Sequence, residues 1–574
     1  MELVTLTIDG REVQIEKDKT ILDAAKKANI HIPTLCYLAE INQIGACRIC
    51  LVEVEGARTL TAACTAPVAE GMKVYTNTPR VRKARRTNLE LLLSNHDDNC
   101  PACARNLNCE LQSLAQSFGI RENRFKGQRL DFPKDTSTPA LIRDPNKCIL
   151  CRRCVAVCRE VQTVKAIVPL ERGFTTIIGP AFQENLSDST CVQCGQCALV
   201  CPTGAIVERE YIDEVWAAID DPEKHVVVQT APAIRVAIAE EFGGEPGEIS
   251  TGKLVAALRR LGFDKVFDTD FTADLTIMEE GSEFLHRLQH GGTLPLMTSC
   301  SPGWINFIET FYPELLPHLS TCKSPQQMFG ALAKTYYPQK AGIDPADVVS
   351  VSIMPCTAKK YESQRPEMRD SGYRDVDYVL TTRELARMIR QAGIDFATLP
   401  EEDYDDPLGI STGAGLIFGA TGGVMEAALR TAYELATGKE LKEINFYDVR
   451  GLDGIKEAQV DVDGTQVKVA VAHGLGNARK LMERVKAGEA DYHFIEVMCC
   501  PGGCIGGGGQ PIPTNTEIRA KRIKGIYAGD EAMPLRKSHE NPAVQQLYKE
   551  FLGQPLGDMS HKLLHTHYTP KEKY

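Results

Sequence analysis

The sequence predicts a multi-domain chain of mixed α+β and α/β class, with small units in the N-terminal third and one large α/β domain after them. Three observations carry this. A length of 574 residues calls for roughly three to five domains. Of the 21 cysteines, 15 lie before residue 202, in groups with ligand-like spacing. Beyond about residue 210, short apolar runs alternate with helical periodicity. The expected divisions are 1–78, 79–125, 138–209 and 210–574.

Composition narrows the class. With 43% hydrophobic and 25% charged residues the chain has an ordinary soluble globular make-up. No apolar run reaches the ~18 residues of a membrane span, and the N-terminus alternates apolar and polar residues, unlike a signal peptide. A cytoplasmic protein is expected, and in a reducing compartment its cysteines read as metal ligands or reactive thiols. The net charge of −11 argues against a nucleic-acid binder, which needs a basic face.

Residues 1–78 read as a β-rich unit. The segments LVTLTI and REVQIE flank Asp9-Gly10, which suits a two-residue hairpin turn, and helical periodicity follows from Thr20 to Asn29. Cys36, Cys47, Cys50 and Cys64 resemble the loop, close pair and distant fourth cysteine of plant-type [2Fe–2S] ferredoxins; a zinc ribbon is the alternative. A β-grasp ferredoxin-like domain holding one [2Fe–2S] cluster is expected. Next, a helical segment from Arg80 to Ser94 runs into His96, Cys100, Cys103 and Cys109. These suit either a Cys3His zinc site or a [4Fe–4S] cluster with one imidazole ligand, in a small helical domain.

The third module is the most specific. Cys148, Cys151, Cys154 and Cys158, then Cys191, Cys194, Cys197 and Cys201 followed by Pro202, repeat the bacterial two-cluster ferredoxin spacing, in which the fourth cysteine of each run serves the other cluster. One [4Fe–4S] is then held by Cys148, Cys151, Cys154 and Cys201, and a second by Cys158, Cys191, Cys194 and Cys197. Such a series is a wire, and a wire needs a terminus. Six cysteines remain for it: Cys300, Cys322, Cys356, Cys499, Cys500 and Cys504.

In the last domain, residues 225–232, 348–356, 467–474 and 492–500 read as short buried strands. Three of them end where chemistry is expected, as ligands favour the carboxyl ends of strands in open sheets. The run Cys500 to Gly509 sets two thiols three residues apart among glycines that let backbone approach a ligand closely.

The segments MTSCSPGWI (297–305), MPCTAKKYE (354–362) and EVMCCPGGCIGGGGQP (496–511) resemble the three signature motifs of the [FeFe]-hydrogenase family. The KSHENPAVQQLYKEFLG stretch (537–553) and the four-cluster array resemble that family too. The resemblance implies reversible reduction of protons to dihydrogen at an H-cluster. That centre is a [4Fe–4S] subcluster ligated by Cys356, Cys500 and Cys504 and bridged through Cys504 to a di-iron subsite bearing CO, cyanide and an azadithiolate. The family usually has two adjacent cysteines before Pro-Gly-Trp, whereas this chain has Cys300-Ser301. Three alternatives stay open: Ser301 ligates, Cys300 supplies the fourth bond, or the fourth position is altered.

By the same resemblance, Lys359 donates to a cyanide, and Ala231, Pro232, Gln326, Met354, Phe418 and Met498 line the pocket. Cys300, Glu280, Ser320, Glu283 and Arg287 carry protons to the surface. Cys322 and Cys499 are expected to be small buried apolar residues. The glycine-rich stretches Thr412–Val424 and Gly474–Gly476 lack nucleotide-binding spacing, so no flavin or nucleotide is expected on this chain. Its texture resembles large subunits of multimeric NAD(P)-linked, electron-bifurcating hydrogenases, which implies flavin- and NAD(P)-binding Fe–S partner subunits and ferredoxin. The alternatives are a stand-alone ferredoxin-dependent hydrogenase, or a hydrogen-sensing or electron-transfer subunit with little turnover.

Overall fold

The computed structural model describes residues 2–39, 41–462 and 465–572. The first unit is a five-stranded sheet ordered β2-β1-β5-β3-β4, made of β1 (Leu3–Ile8), β2 (Arg11–Glu16), β3 (Leu51–Val54), β4 (Thr61–Ala62) and β5 (Lys73–Tyr75). Asp9 and Gly10 turn the first hairpin with φ of 47° and 82°, the positive pair that a tight right-twisting hairpin requires. Val4, Leu6, Ile8, Val13 and Ile15 alternate inward against helix α1 (Ile21–Lys27), which a Thr20–Asp23 capping box starts. Four residues of helix α2 (Pro79–Ser94) are buried, among them Leu89, which joins Cys36, Cys47, Cys109, Ile149 and Cys151 in one core. The first three modules therefore share packing.

In the third module, β6 (Leu141–Arg143) pairs with β9 (Ile206–Glu208) and β7 (Val168–Leu170) pairs with β8 (Ile177–Gly179). Both cysteine runs lie between these short ladders.

Beyond it stand two four-stranded sheets rather than one. The first, ordered β11-β10-β13-β14, is wholly parallel: β10 (His225–Thr230), β11 (Lys265–Asp268), β13 (Val348–Met354) and β14 (Tyr378–Thr381). Helices cover it, so β13 reads VVSVSIM, with all but one residue buried. The second is ordered β12-β17-β16-β15, from β12 (Leu296–Met297), β15 (Ile455–Val462), β16 (Thr465–His473) and β17 (Phe494–Met498); only its β15–β16 edge is antiparallel. The carboxyl ends of β10, β13, β12 and β17 run into one central cavity. Helix α3 (Thr269–His290) and helix α4 (Pro302–Phe311), which starts one residue past Ser301, wall it. No helix among the described residues is long and apolar enough to cross a membrane.

The third module docks on the glycine run after β17. Gly195 has φ +71°, and a Cβ there would lie 3.0 Å from Gly508 Cα and collide with the Thr357 side chain. The Gln196 amide donates to the Gly506 carbonyl at 2.8 Å, and the Thr357 hydroxyl to that of Gln193 at 2.7 Å. A Gly195→Ala change combines left-handed backbone strain with overpacking. We expect it to destabilise the iron-loaded chain by about 2–4 kcal/mol, read as a lower unfolding temperature.

Candidate metal centres and active site

Each cysteine group closes on itself. In the first unit, the Cys50 and Cys64 sulfurs are 3.3 Å apart. The Cys47 backbone N–H reaches Cys36 Sγ at 3.5 Å. Hydrogen bonding from the Cys47 thiol pulls the Cys36 thiol down to about 6, and Cys64 pulls Cys50 down to about 7. In each pair one thiol is lowered while its partner, Cys47 or Cys64, is raised by the shared hydrogen bond and by burial; two close sulfur pairs fit two irons, each held by one pair. Asn42 donates one amide group to both the Cys36 carbonyl (2.7 Å) and the Cys151 carbonyl (3.0 Å), tying this unit to the third module.

His96 is buried and its Nδ1 has no partner, while Cys100 and Cys109 each interact with Cys103; an unpartnered imidazole nitrogen and three thiols are donor types that fit a metal. This group touches the third module from another side. Cys109 Sγ donates to the Pro202 carbonyl at 3.5 Å, and Cys103 Sγ lies 2.5 Å from where a Cβ on Gly204 would stand.

In the third module, Cys148, Cys151, Cys154 and Cys201 line one small apolar cavity, and Cys158, Cys191, Cys194 and Cys197 line a second. Thus the last cysteine of each run has crossed to the other group. Burial pushes the Cys148 thiol up to about 12 and Cys158 to about 11. Thiols in such apolar pockets ionise only against a soft cation, which is what these donor sets fit.

Cys300, Ser301, Cys356, Cys499, Cys500 and Cys504 converge on the central cavity. Ala231, Pro232, Gln326, Met354, Phe418 and Met498 line it as well. Burial drives the Cys504 thiol up to about 12 and raises Cys300 and Cys356 as well. The ammonium of Lys359 faces the same space. It donates to the Cys300 carbonyl (3.1 Å) and to Glu362 (2.8 Å). Glu362 also accepts from Gln326 (3.0 Å) and Ser324 (2.9 Å), while Gln326 Oε1 is buried without a partner. One face thus presents a fixed cation, and the rest is mainly thiol, thioether and hydrocarbon, with Thr269, Ser301 and Gln326 as the polar exceptions. That chemistry fits an anionic, sulfur-bound metal group.

Behind Cys300 lies a line of polar groups on α3 and the strand-like segment after residue 318. Glu280 is buried, and desolvation lifts its carboxyl to about 8. The Ser320 hydroxyl hydrogen-bonds Glu280 and lies 3.2 Å from Glu283 Oε2. Glu283 pairs with half-buried Arg287, whose guanidinium also donates to the Thr293 and Leu319 carbonyls. Cys322 packs beside Glu283 and His565, away from the cavity.

Four functional positions escape sequence reading. Asn42, Gln162 and Ser324 act through partners remote in sequence. Glu362 sits three residues after Lys359, a helical spacing that signals an ion pair. The amide of Gln162 reaches Cys194 Sγ at 3.4 Å and the Cys499 carbonyl at 3.1 Å, linking the second ferredoxin-type cavity to the central one.

Fold and sites together define an iron–sulfur redox protein, with cysteine sites in packing contact that lead to a buried thiol cavity. The chain belongs to the [FeFe]-hydrogenase family, as a large subunit with accessory iron–sulfur domains. Residues 224–508 match the C-terminal domain of the iron only hydrogenase large subunit, and residues 516–571 match the iron hydrogenase small subunit. Residues 1–79 match a 2Fe-2S iron-sulfur cluster binding domain, residues 85–124 the NADH-ubiquinone oxidoreductase-G iron-sulfur binding region, and residues 147–205 a 4Fe-4S dicluster domain. The chain is 56% identical to NADP-reducing hydrogenase subunit HndD of Solidesulfovibrio fructosivorans, over 100% of both chains. It is 44% identical to Iron hydrogenase 1 of Clostridium pasteurianum, over 98% of this chain and 99% of that one. A structure of an apo [FeFe]-hydrogenase from Chlamydomonas reinhardtii aligns with TM-score 0.57 and 48% identity, covering 63% of this chain and 99% of that one.

Proposed function

We propose that this chain is the hydrogen-converting subunit, 2H⁺ + 2e⁻ ⇌ H₂, of a cytoplasmic, flavin-containing complex that couples NAD(P) and ferredoxin by electron bifurcation. One observation carries the catalytic reading: the central cavity gathers Cys356, Cys500 and Cys504 with the Lys359 cation, and is entered by cluster sites on one side and carboxyl groups on the other. On this reading Cys36, Cys47, Cys50 and Cys64 hold a [2Fe–2S], and three accessory [4Fe–4S] clusters occupy the His96 group and the two ferredoxin-type cavities. Both outer modules abut the Cys148 cavity, so electrons have two entries and one exit, through Cys194 and Gln162 toward Cys499.

The H-cluster, when bound, supplies the redox chemistry of hydrogen. The chain's own residues hold and feed it. Cys356, Cys500 and Cys504 anchor it, and the methionines and Phe418 keep water out. Lys359, held by Glu362, presents positive charge to anionic ligands. The Cys300 thiol and the Glu280 carboxyl move protons between the cavity and Ser320, Glu283 and Arg287.

The NADP-linked context is supported by the full-length similarity to a subunit named for NADP reduction, and bifurcation is the finer part of the proposal. Purification of the native protein tests it. The expected result is a heteromer that contains flavin and reduces NAD(P) with dihydrogen. A lone chain without flavin that turns over with ferredoxin favours the stand-alone reading instead.

A further inference from the structure

The three anchoring thiols leave a four-cornered cluster one ligand short, and this chain's signature places a serine at position 301. We propose that Cys499, arriving from the end of β17, is the fourth ligand of the catalytic [4Fe–4S] subcluster, and that Ser301 positions it. The proposal rests on the reading of the central cavity as an iron–sulfur site.

Five observations converge on Cys499. It is 4% exposed, lines the cavity with Cys356, Cys500 and Cys504, and its thiol lies within hydrogen-bonding reach of the Cys500 thiol. The Ser301 hydroxyl is already engaged, because it accepts the backbone N–H of Cys499 at 3.2 Å. It therefore fixes the loop that carries this thiol, and as a hard oxygen donor it is the poorer iron ligand. Space for the sulfur is built in: a Cβ on Gly303 would stand 2.6 Å from Cys499 Sγ, so the glycine two residues after Ser301 leaves that volume open.

The competing thiols are committed elsewhere. Cys300 packs with Cys504 in the core on the Glu280 side, whereas Cys499 and Cys500 share the opposite core with Cys194. Cys322 lies off the cavity beside Glu283 and His565. With Cys300 left free for protons, Cys356, Cys499, Cys500 and Cys504 are the four thiols that remain.

The Cys499 thiol is also within hydrogen-bonding reach of the Cys194 thiol, and the Gln162 amide approaches both sulfurs, at 3.8 Å and 3.4 Å. The catalytic cluster and its nearest accessory cluster then meet through ligand sulfurs bridged by one amide.

The test uses the full-length chain, produced without di-iron maturation and reconstituted with iron and sulfide. Iron per chain is counted, and clusters are distinguished by Mössbauer and EPR spectra. Cys499→Ala is expected to lose the iron of one [4Fe–4S] cluster with all accessory signals intact. Ser301→Ala is expected to keep the full complement, and Ser301→Cys in the Cys499→Ala background to restore it. Should the alanine variant fold poorly, Cys499→Ser supplies the isosteric measurement: one cluster with a displaced Mössbauer doublet and an altered EPR signal. Full iron in Cys499→Ala, loss in Ser301→Ala, no restoration by Ser301→Cys, or an unchanged spectrum in Cys499→Ser would overturn the assignment. Cys356→Ala separates the two levels: full iron there as well would sink the reading of the cavity as a cluster site.

Discussion

Cys504→Ala brings dihydrogen evolution from a dye reductant to the detection floor, while the accessory iron–sulfur spectra keep their wild-type intensity. The first half follows from the cavity, where Cys504 is the thiol assigned to bridge the two metal parts. Desolvation pushes this thiol up to about 12, so it is a thiolate only while metal compensates the charge. Alanine removes the bridge, and the surrounding methionines, prolines and Phe418 offer no substitute donor. The second half follows from separation. The cavities holding Cys148, Cys151, Cys154 and Cys201, and Cys158, Cys191, Cys194 and Cys197, share no cysteine with the central one except through the Cys194–Cys499 contact. Evolution assays and EPR of the same sample check both halves.

Glu280→Gln lowers turnover by about 10²–10⁴-fold, the range for loss of one positioned proton carrier, with every cluster retained. The amide matches the carboxyl in size and still hydrogen-bonds Ser320, so packing on α3 survives while proton release does not. The buried carboxyl titrates at about 8, so wild-type proton reduction should decline above about pH 8 as Glu280 loses the proton it donates. Linkage gives a second, independent readout. The folded carboxyl keeps its proton to about 8, whereas an unfolded glutamate releases it at about 4.3. Between those values the native state binds more protons, and this group's contribution to stability falls as pH rises. Removing it should make the variant gain stability over wild type toward pH 8, measured by unfolding at several pH values.

Legibility in the sequence follows how locally each feature is encoded. Ligand spacing is local, so the four cysteine groups can be read off residue numbers, and the Asp9-Gly10 turn and the helix from Thr251 to Leu261 are equally visible. Strand pairing is not local. The runs at 225–232, 348–356, 467–474 and 492–500 are apolar in the same way, and nothing in their pattern says that β10 and β13 form one sheet while β16 and β17 form another. Cys499 reads as filler in the sequence because a cysteine that ends an apolar strand, ahead of a motif that already supplies Cys500 and Cys504, is usually that. Its environment is made by Ser301, Gly303 and Cys194, all remote in sequence. Gln162 and Asn42 carry no motif at all, and only the folded chain shows that their amides bridge neighbouring cysteine sites. Glu280 and Glu283 can be placed on one helix face, but their burial depends on the packing around α3.

Infrared spectroscopy of the full-length chain, matured with the di-iron subsite and assayed in parallel for dihydrogen evolution, tests the central claim most directly. Cyanide and carbon monoxide stretching bands are expected together with robust gas production, both lost in Cys504→Ala. Matured protein with all accessory clusters in place but neither bands nor dihydrogen would contradict that claim, leaving an electron-transfer protein whose thiol cavity holds no catalytic centre.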